Sequence, residues 1–492
     1  MLTTDLHYQS AAELITALAD KKISSIELFD ATLARIEKLD KSINAVVVCD
    51  FDRARISAIA ADAAIARGER RPLLGLPMTV KESFNIAGLT TSWGNRLYKD
   101  WRPTEDALVI ARLKAAGAVI LGKTNVPCML GDWQSYNDIY GSTNNPWDLS
   151  VTPGGSSGGS AAALAAGYVA LELGSDLAGS LRVPAHYCGV YAHKPTHHLI
   201  PLRGSSPPMT PPSAHWIDFV VAGPMARTAH DLAIGLDVLA GPDDRAEGAG
   251  YQLALPPARH TTLRDFRVLL LDTHPFYPTE ASTQKALDHL AQCLSKAGIK
   301  VARTTPHLPD LAEIARNYAC LLSAWFAVNT PMIEYQNAKI AAEKLSNNDT
   351  SLDAAFMRGG VMSHRDWLLT TQTRDQLRQQ WRKLYQEFDV VLCPVMPTSA
   401  LPHEHAGNME LRQIDIDGQS VSYGHQYIWA SIATLFDLPA TAAPIDRCGA
   451  DLPIGIQIIG DYLEDKTTIT FAHLLEREFG GFVLPPRMKN QA

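Results

Sequence analysis

Two serines and one lysine are the residues in this chain best suited to do chemistry. The run Thr152 to Pro184, TPGGSSGGSAAALAAGYVALELGSDLAGSLRVP, sets the glycine-flanked Ser156 and Ser180 a fixed distance apart around a small-residue helix. Upstream, Lys81 stands at the end of an apolar, strand-like run within Leu76 to Phe84 (LPMTVKESF). Partial burial there disfavours the charged ammonium, lowers its pKa and makes the amine usable as a base. A serine hydroxyl is a poor nucleophile at neutral pH and needs such a base within hydrogen-bond reach. Two hydroxyls and a tunable amine suffice for acyl transfer, and no histidine is required.

The lysine, the GGSSGG run, the G-S-D-x-x-G-S-x-R-x-P segment, Cys188-Gly189-Val190 and Lys194-Pro195-Thr196 closely resemble the amidase signature family of serine hydrolases. The likeness extends to SAAELITALADKKISSIELFDATLARIEKL near the N-terminus, to LKAAGAVILGKTN, and to LPIGIQIIG near the C-terminus. Motif by motif, the resemblance implies a Ser180 nucleophile, a bridging Ser156 and a Lys81 base, with neither cofactor nor metal. It implies an α/β fold, a single domain over 1–492 with a central mixed β-sheet covered by helices on both faces. The expected layout is a catalytic core near 70–240, a peripheral α/β excursion near 245–390 and a return to the core near 390–485. In the family, residues matching Asp176 and Arg182 brace the nucleophile loop, and those matching Leu130, Trp133, Tyr136 and Leu177 approach the acyl and leaving groups.

The proton path follows from the residue types. Neutral Lys81 accepts the proton of Ser156, which accepts that of Ser180, and the relay later returns a proton to the leaving amine. The carbonyl oxygen becomes an oxyanion, for which the backbone N–H groups of Leu177, Ala178, Gly179 and Ser180 are the expected donors, each worth roughly 3 kcal/mol. Family members commonly carry two glycines before the nucleophile, whereas this chain has Ala178-Gly179. Alanine keeps its N–H and needs only to avoid a strongly positive φ, so catalysis should survive. Ser157 reads either as hydrogen-bonding support or as the cap of a helix starting at Gly158.

Other motifs fit less well. GGSSGG satisfies G-x-S-x-G twice, but turn formers, not a strand, precede it, so an α/β-hydrolase elbow lacks its context. No Gly-Lys-Ser/Thr follows the glycines, which argues against a phosphate loop. His403-Glu404-His405 on a Pro-flanked loop reads as a solvated polar turn rather than a metal site, and His197-His198 is no stronger.

Composition is that of a globular protein, with 46% hydrophobic and 20% charged residues among 492. A net charge of −8 leaves no basic footprint, so nucleic acid is not an expected ligand. Seven cysteines, odd in number and without C-x-x-C spacing, argue against a disulfide framework or zinc site. Cys188 reads as a packed side chain. No basic-then-apolar leader is visible after Met1, and a cytoplasmic setting fits best. The uncharged Val151 to Leu171 run is too rich in glycine and hydroxyls to read as a membrane span.

Patterning sets two helices within 8–40, the second starting at Ser24-Ser25-Ile26-Glu27, and a third over Phe51 to Arg67. Thr79-Val80 and Ala118 to Gly122 read as strands, and Glu105 to Ala116 and Ala229 to Leu239 as helices. Ser205 to Pro212 reads as an ordered loop near the site. Farther on, Phe266 to Leu271 and Val301 read as strand, Thr283 to Ala297 as helix, and Arg365 to Phe388 as one long helix, with no chemistry assigned to 245–390.

The expected activity is stand-alone hydrolysis of uncharged aryl or alkyl carboxamides, with carbamates, cyclic amides and esters open to the same machinery. The expected partner is a small-molecule amide, with no membrane and with room for a homodimer. Two alternatives stand beside it: a glutaminase component of a tRNA-dependent amidotransferase, and a non-enzymatic binding protein on the same fold. Close relatives of the first kind typically have glutamine where Val183 sits, and the second kind would be expected to lack one of the three catalytic side chains.

Overall fold

A computed structural model describes residues 6–212, 218–407, 409–447 and 452–489. Local chemistry sets the first elements. Ser10 and Ser24 each accept a hydrogen bond from the backbone N–H three residues on, while Glu13 and Glu27 reach back to the serine N–H. These reciprocal caps start α1 (Ala11–Ala19) and α2 (Ser25–Ile43). Next come α3 (Phe51–Ala66), α4 (Leu108–Ala115), α5 (Gly158–Ala165), α6 (Arg182–Cys188) and α7 (Ala229–Leu239). The second half adds α8 (Ala281–Lys296) and α9 (Leu311–Phe326).

Eleven strands form one mixed sheet. In chain order they are β1 (Val46–Cys49), β2 (Pro77–Lys81), β3 (Val119–Thr124), β4 (Leu171–Asp176), β5 (Tyr191–Lys194) and β6 (Val221–Ala226), then β7 (Arg267–Leu270), β8 (Lys300–Ala302), β9 (Val390–Pro394), β10 (Ala440–Arg447) and β11 (Pro453–Ile459). Their spatial order is β1-β3-β2-β4-β6-β5-β10-β11-β9-β7-β8. The β3-β2-β4 group is parallel, as is β9-β7-β8, and the strands between pair antiparallel.

Alternation along the strands sends side chains into two separate cores, as a pleated sheet covered on both faces requires. Met78 and Val80 of β2 join Leu171 and Leu173 of β4 in the core shared with α1, α4, α7 and α8. On the other face α2, α5, α6 and α9 build the second core. Lys81 and Thr79 alternate with Met78 and Val80, so the lysine leaves the sheet on the α5 and α6 side. Helix α5 is made of small residues because it lies directly on backbone: a Cβ at Gly159 would stand 2.4 Å from the Asn125 nitrogen.

The 245–390 region carries β7 and β8, which pair in register beyond β9 and form one edge of the sheet. One expectation is corrected here. The long helix breaks at Lys383 into His364–Arg382 and Leu384–Glu387. The loop before Pro212 packs through Gly204, whose carbonyl accepts from Asn85 N–H at 3.1 Å; its continuation over 213–217 lies outside the described residues. Among the described residues no helix is long and apolar enough to cross a membrane.

Candidate active site

Lys81 ends β2 beside β4, and its Nζ donates to Ser156 Oγ at 2.7 Å, to Ser175 Oγ at 2.9 Å and to the Ser175 carbonyl at 3.3 Å. The amine is fully buried. Burial lowers its pKa from the ordinary 10.5 to about 7, against the opposing pull of the Asp176 charge. On the neighbouring strand, burial pushes the Glu172 carboxyl up to about 8 although the Thr79 hydroxyl donates to it, so at neutral pH it adds little negative charge near the lysine.

The loop carrying Ser156 is clamped before α5 begins. Its Gly155–Ser156 peptide bond is cis. Ser135 Oγ donates to the Gly154 carbonyl and accepts from Gly158 N–H, both at 3.0 Å. Ser157 N–H donates to the Ser180 carbonyl at 3.2 Å, which ties the two serine-bearing turns together. Ser157 Oγ makes no cap on α5; it donates to the Ser175 carbonyl at 3.2 Å, so of the two readings of this residue hydrogen-bonding support is the one realised. Ser180 is the most exposed of the three chemical residues, at 8% against 1% for Ser156 and 0% for Lys81. Among the described residues its hydroxyl has no hydrogen-bond partner, and no bond joins it to Ser156, whose Oγ accepts from Lys81.

Asp176 organises the nucleophile turn. Its carboxylate accepts from Gly179 N–H at 2.9 Å and Leu181 N–H at 3.0 Å, and from Arg182 Nη2 at 2.8 Å and Nε at 3.1 Å. Arg182 continues to the Ala430 carbonyl, Gln457 Oε1 and Thr434 Oγ1 at 2.8 to 3.0 Å. Both partners are wholly buried, so neither is a solvated surface charge. Burial alone would raise the Asp176 carboxyl, but the Arg182 guanidinium and the backbone donors hold it down at about 2.

This arrangement corrects the expected set of oxyanion donors. The Gly179 N–H is taken by Asp176, because a buried carboxylate must be satisfied and this amide is within reach. The N–H groups of Leu177, Ala178 and Ser180 donate to no described residue. Gly179 itself has φ +99°, a conformation that favours glycine, whereas Ala178 lies outside that left-handed region. The carbonyls of the turn are held from behind: Tyr318 Oη donates to Leu177 O at 2.9 Å, Trp133 Nε1 to Ala178 O at 2.9 Å, and Val183 N–H to Gly179 O at 2.7 Å.

Of the expected pocket residues, Trp133 and Leu177 therefore meet the nucleophile turn. Tyr136 is occupied elsewhere, receiving a hydrogen bond from Arg412 at 2.7 Å and stacking on His405 at 3.9 Å between ring centres. Leu130 is half-buried in a turn with no hydrogen bond or ring contact to residues 177–180. The loop of His403, Glu404 and His405 is exposed at Glu404 and His405, as a solvated polar turn should be, and both backbone groups of Glu404 pair with the Gln134 amide, at 2.9 and 3.0 Å. His197, Asp218 and Asp437 bring possible metal-ligand atoms together, but Arg374 and Arg378 already neutralise the two carboxylates. Cys188 is buried and donates to the Pro153 carbonyl at 3.5 Å, and burial raises its thiol pKa well above the usual range.

Sequence reasoning does not single out Ser175, Tyr318 or the donor role of Trp133. Ser175 lies inside the G-S-D motif beside Asp176, which is the available signal; nothing in the sequence around Tyr318 points to the site.

Comparison with known proteins shows the family of the whole chain. The sequence model of the Amidase family, described as "Amidase", matches residues 27–469. AmiB2 of Mycobacterium tuberculosis (strain ATCC 25618 / H37Rv), provisionally named an amidase, is 32% identical over 482 residues, covering 96% of each chain. The A component of the glutamyl-tRNA(Gln) amidotransferase of Anaeromyxobacter dehalogenans (strain 2CP-C) is 33% identical over 505 residues, covering 95% of this chain and 96% of its own. Among solved structures, an inhibitor-bound vestigial complex bearing on the origins of an s-triazine catabolic enzyme superposes with a TM-score of 0.79 at 29% identity, covering 97% of this chain and 100% of that one.

Proposed function

Since the chain belongs to the Amidase family and is an amide C–N hydrolase, we propose that it acts alone on uncharged aryl or alkyl carboxamides through an acyl-enzyme at Ser180. The observation that carries this reading is the fully buried Lys81 amine, 2.7 Å from Ser156 Oγ and with a pKa of about 7. An amine so placed is neutral in a large fraction of molecules at physiological pH and can draw a proton through Ser156 from Ser180 as Ser180 attacks the amide carbon. The N–H groups of Ala178 and Ser180 receive the developing oxyanion. The proton held by Lys81 then returns through Ser156 to the leaving amine, and the relay activates a water for deacylation.

One observation favours an uncharged amide over glutamine. Val183, where the glutamine-hydrolysing relatives typically carry glutamine, is buried and faces Gly179, with its Cγ2 2.9 Å from where a Cβ there would stand. It offers no polar group to a substrate carboxamide.

A panel of anilides, aliphatic amides, carbamates, esters and glutamine, assayed on the purified chain alone, tests the proposal. Anilides or alkyl amides should be turned over with glutamine inert, and Ser180→Ala should abolish turnover and covalent labelling by a fluorophosphonate. Retained amide hydrolysis in Ser180→Ala would show that the nucleophile is wrong, and glutamine as the best substrate would show that the substrate class is.

A further inference from the structure

Resting on the Ser180 reading, we infer that Tyr318 is a positioning residue for the oxyanion-binding turn, fixing the direction of the Ala178 N–H through the carbonyl of Leu177. The C=O and N–H of a trans peptide point in opposite directions, so holding one aims the other. Three successive peptide units make up this turn. The unit from Ala178 to Gly179 is held at both ends, by Trp133 on its carbonyl and Asp176 on its N–H. The unit from Gly179 to Ser180 is held by Val183 N–H from the first turn of α6. The unit from Leu177 to Ala178 has one hydrogen bond among the described residues, the 2.9 Å bond from Tyr318 Oη to its carbonyl. Its N–H has no partner among the described residues and is one of the two proposed to meet the substrate oxyanion.

Tyr318 is built to hold this bond. It sits midway along α9, fully buried, with its ring against Phe219 at 5.3 Å and Tyr427 at 5.4 Å between centroids. Burial, with the nearby Asp176 charge, raises its pKa well above the usual tyrosine value, so the hydroxyl keeps its proton and remains a donor across the working range. The 245–390 region thereby reaches the reacting atoms through one hydroxyl.

Tyr318→Phe keeps the ring and removes only the donor. Deleting an oxyanion donor costs about 10²- to 10³-fold in kcat, so releasing the peptide that carries one should lower kcat for a neutral anilide roughly ten- to a hundredfold, with KM changed less than about twofold. An aryl boronic acid supplies the second readout. The Ser180 oxygen bonds to boron, its proton passes through Ser156 to Lys81, and a tetrahedral anion forms with an oxygen in the same place. Its affinity should fall by the same factor as kcat. Titration with a fluorophosphonate counts the folded sites, so rates refer to active protein. Unchanged kcat and boronate affinity per site in Tyr318→Phe overturn the inference, as does a loss confined to the number of sites. Ser180→Ala, run alongside, separates the two levels: if it retains turnover, the nucleophile reading falls, and if it is inert while Tyr318→Phe is unaffected, only the role of Tyr318 falls.

Discussion

Lys81→Met should make the protein more stable relative to wild type at low pH than at high pH, because the wild-type lysine sits where its charge is disfavoured. The folded protein releases the Lys81 proton at about 7 and the unfolded chain at 10.5. Below pH 7 both states are protonated and the full penalty applies, about 5 kcal/mol at about 1.4 kcal/mol per pH unit. Between 7 and 10.5 the unfolded state holds the extra proton, so wild-type stability rises with pH; above 10.5 both states are neutral and the penalty is gone. Methionine keeps an unbranched side chain of similar length and does not titrate. Loss of the hydrogen bonds to Ser156 and Ser175 is a constant offset, so the change with pH isolates the amine. Urea unfolding of both proteins, followed by tryptophan fluorescence at several pH values between about 6 and 10, should show the variant's relative advantage shrinking by about 1.4 kcal/mol per pH unit above pH 7. In the wild type, kcat/KM should rise with a single inflection in the same region. A stability difference independent of pH would mean that the folded protein does not discharge Lys81, and the base assigned to Ser156 would fall with it.

Ser156→Ala should impair an anilide more than a matched phenyl ester, since an amine must be protonated to leave and a phenoxide need not be; equal losses, measured as kcat/KM on the two substrates, would remove Ser156 from the path to the leaving group. Arg182→Met should destabilise the fold by about 3 to 5 kcal/mol, because it leaves the Asp176 carboxylate buried without its cation. It should also lower turnover at fully folded sites by loosening the turn; a thermal midpoint equal to wild type would refute the bracing role.

Much of the chemistry was legible in the residue order because it depends on local features. The capping serines with glutamates three residues on start α1 and α2 wherever those helices pack. GGSSGG and the segment from Gly174 to Pro184 mark places where main chain must pass closer than a side chain allows, and Lys81 at the end of an apolar run announces a buried amine. What distance along the chain hides was settled only by tertiary structure. Lys81 also donates to Ser175, Asp176 removes Gly179 from the set of available donors, and Trp133 and Tyr318 reach the turn from 45 and 141 residues away. The edge strands β7 and β8 joined the central sheet because β9 offered them an unpaired edge, a partner that periodicity within 245–390 cannot show. Residue types declare which groups can titrate, donate or attack, but the direction of a peptide N–H is set by whatever holds its carbonyl, and here those partners come from remote parts of the chain.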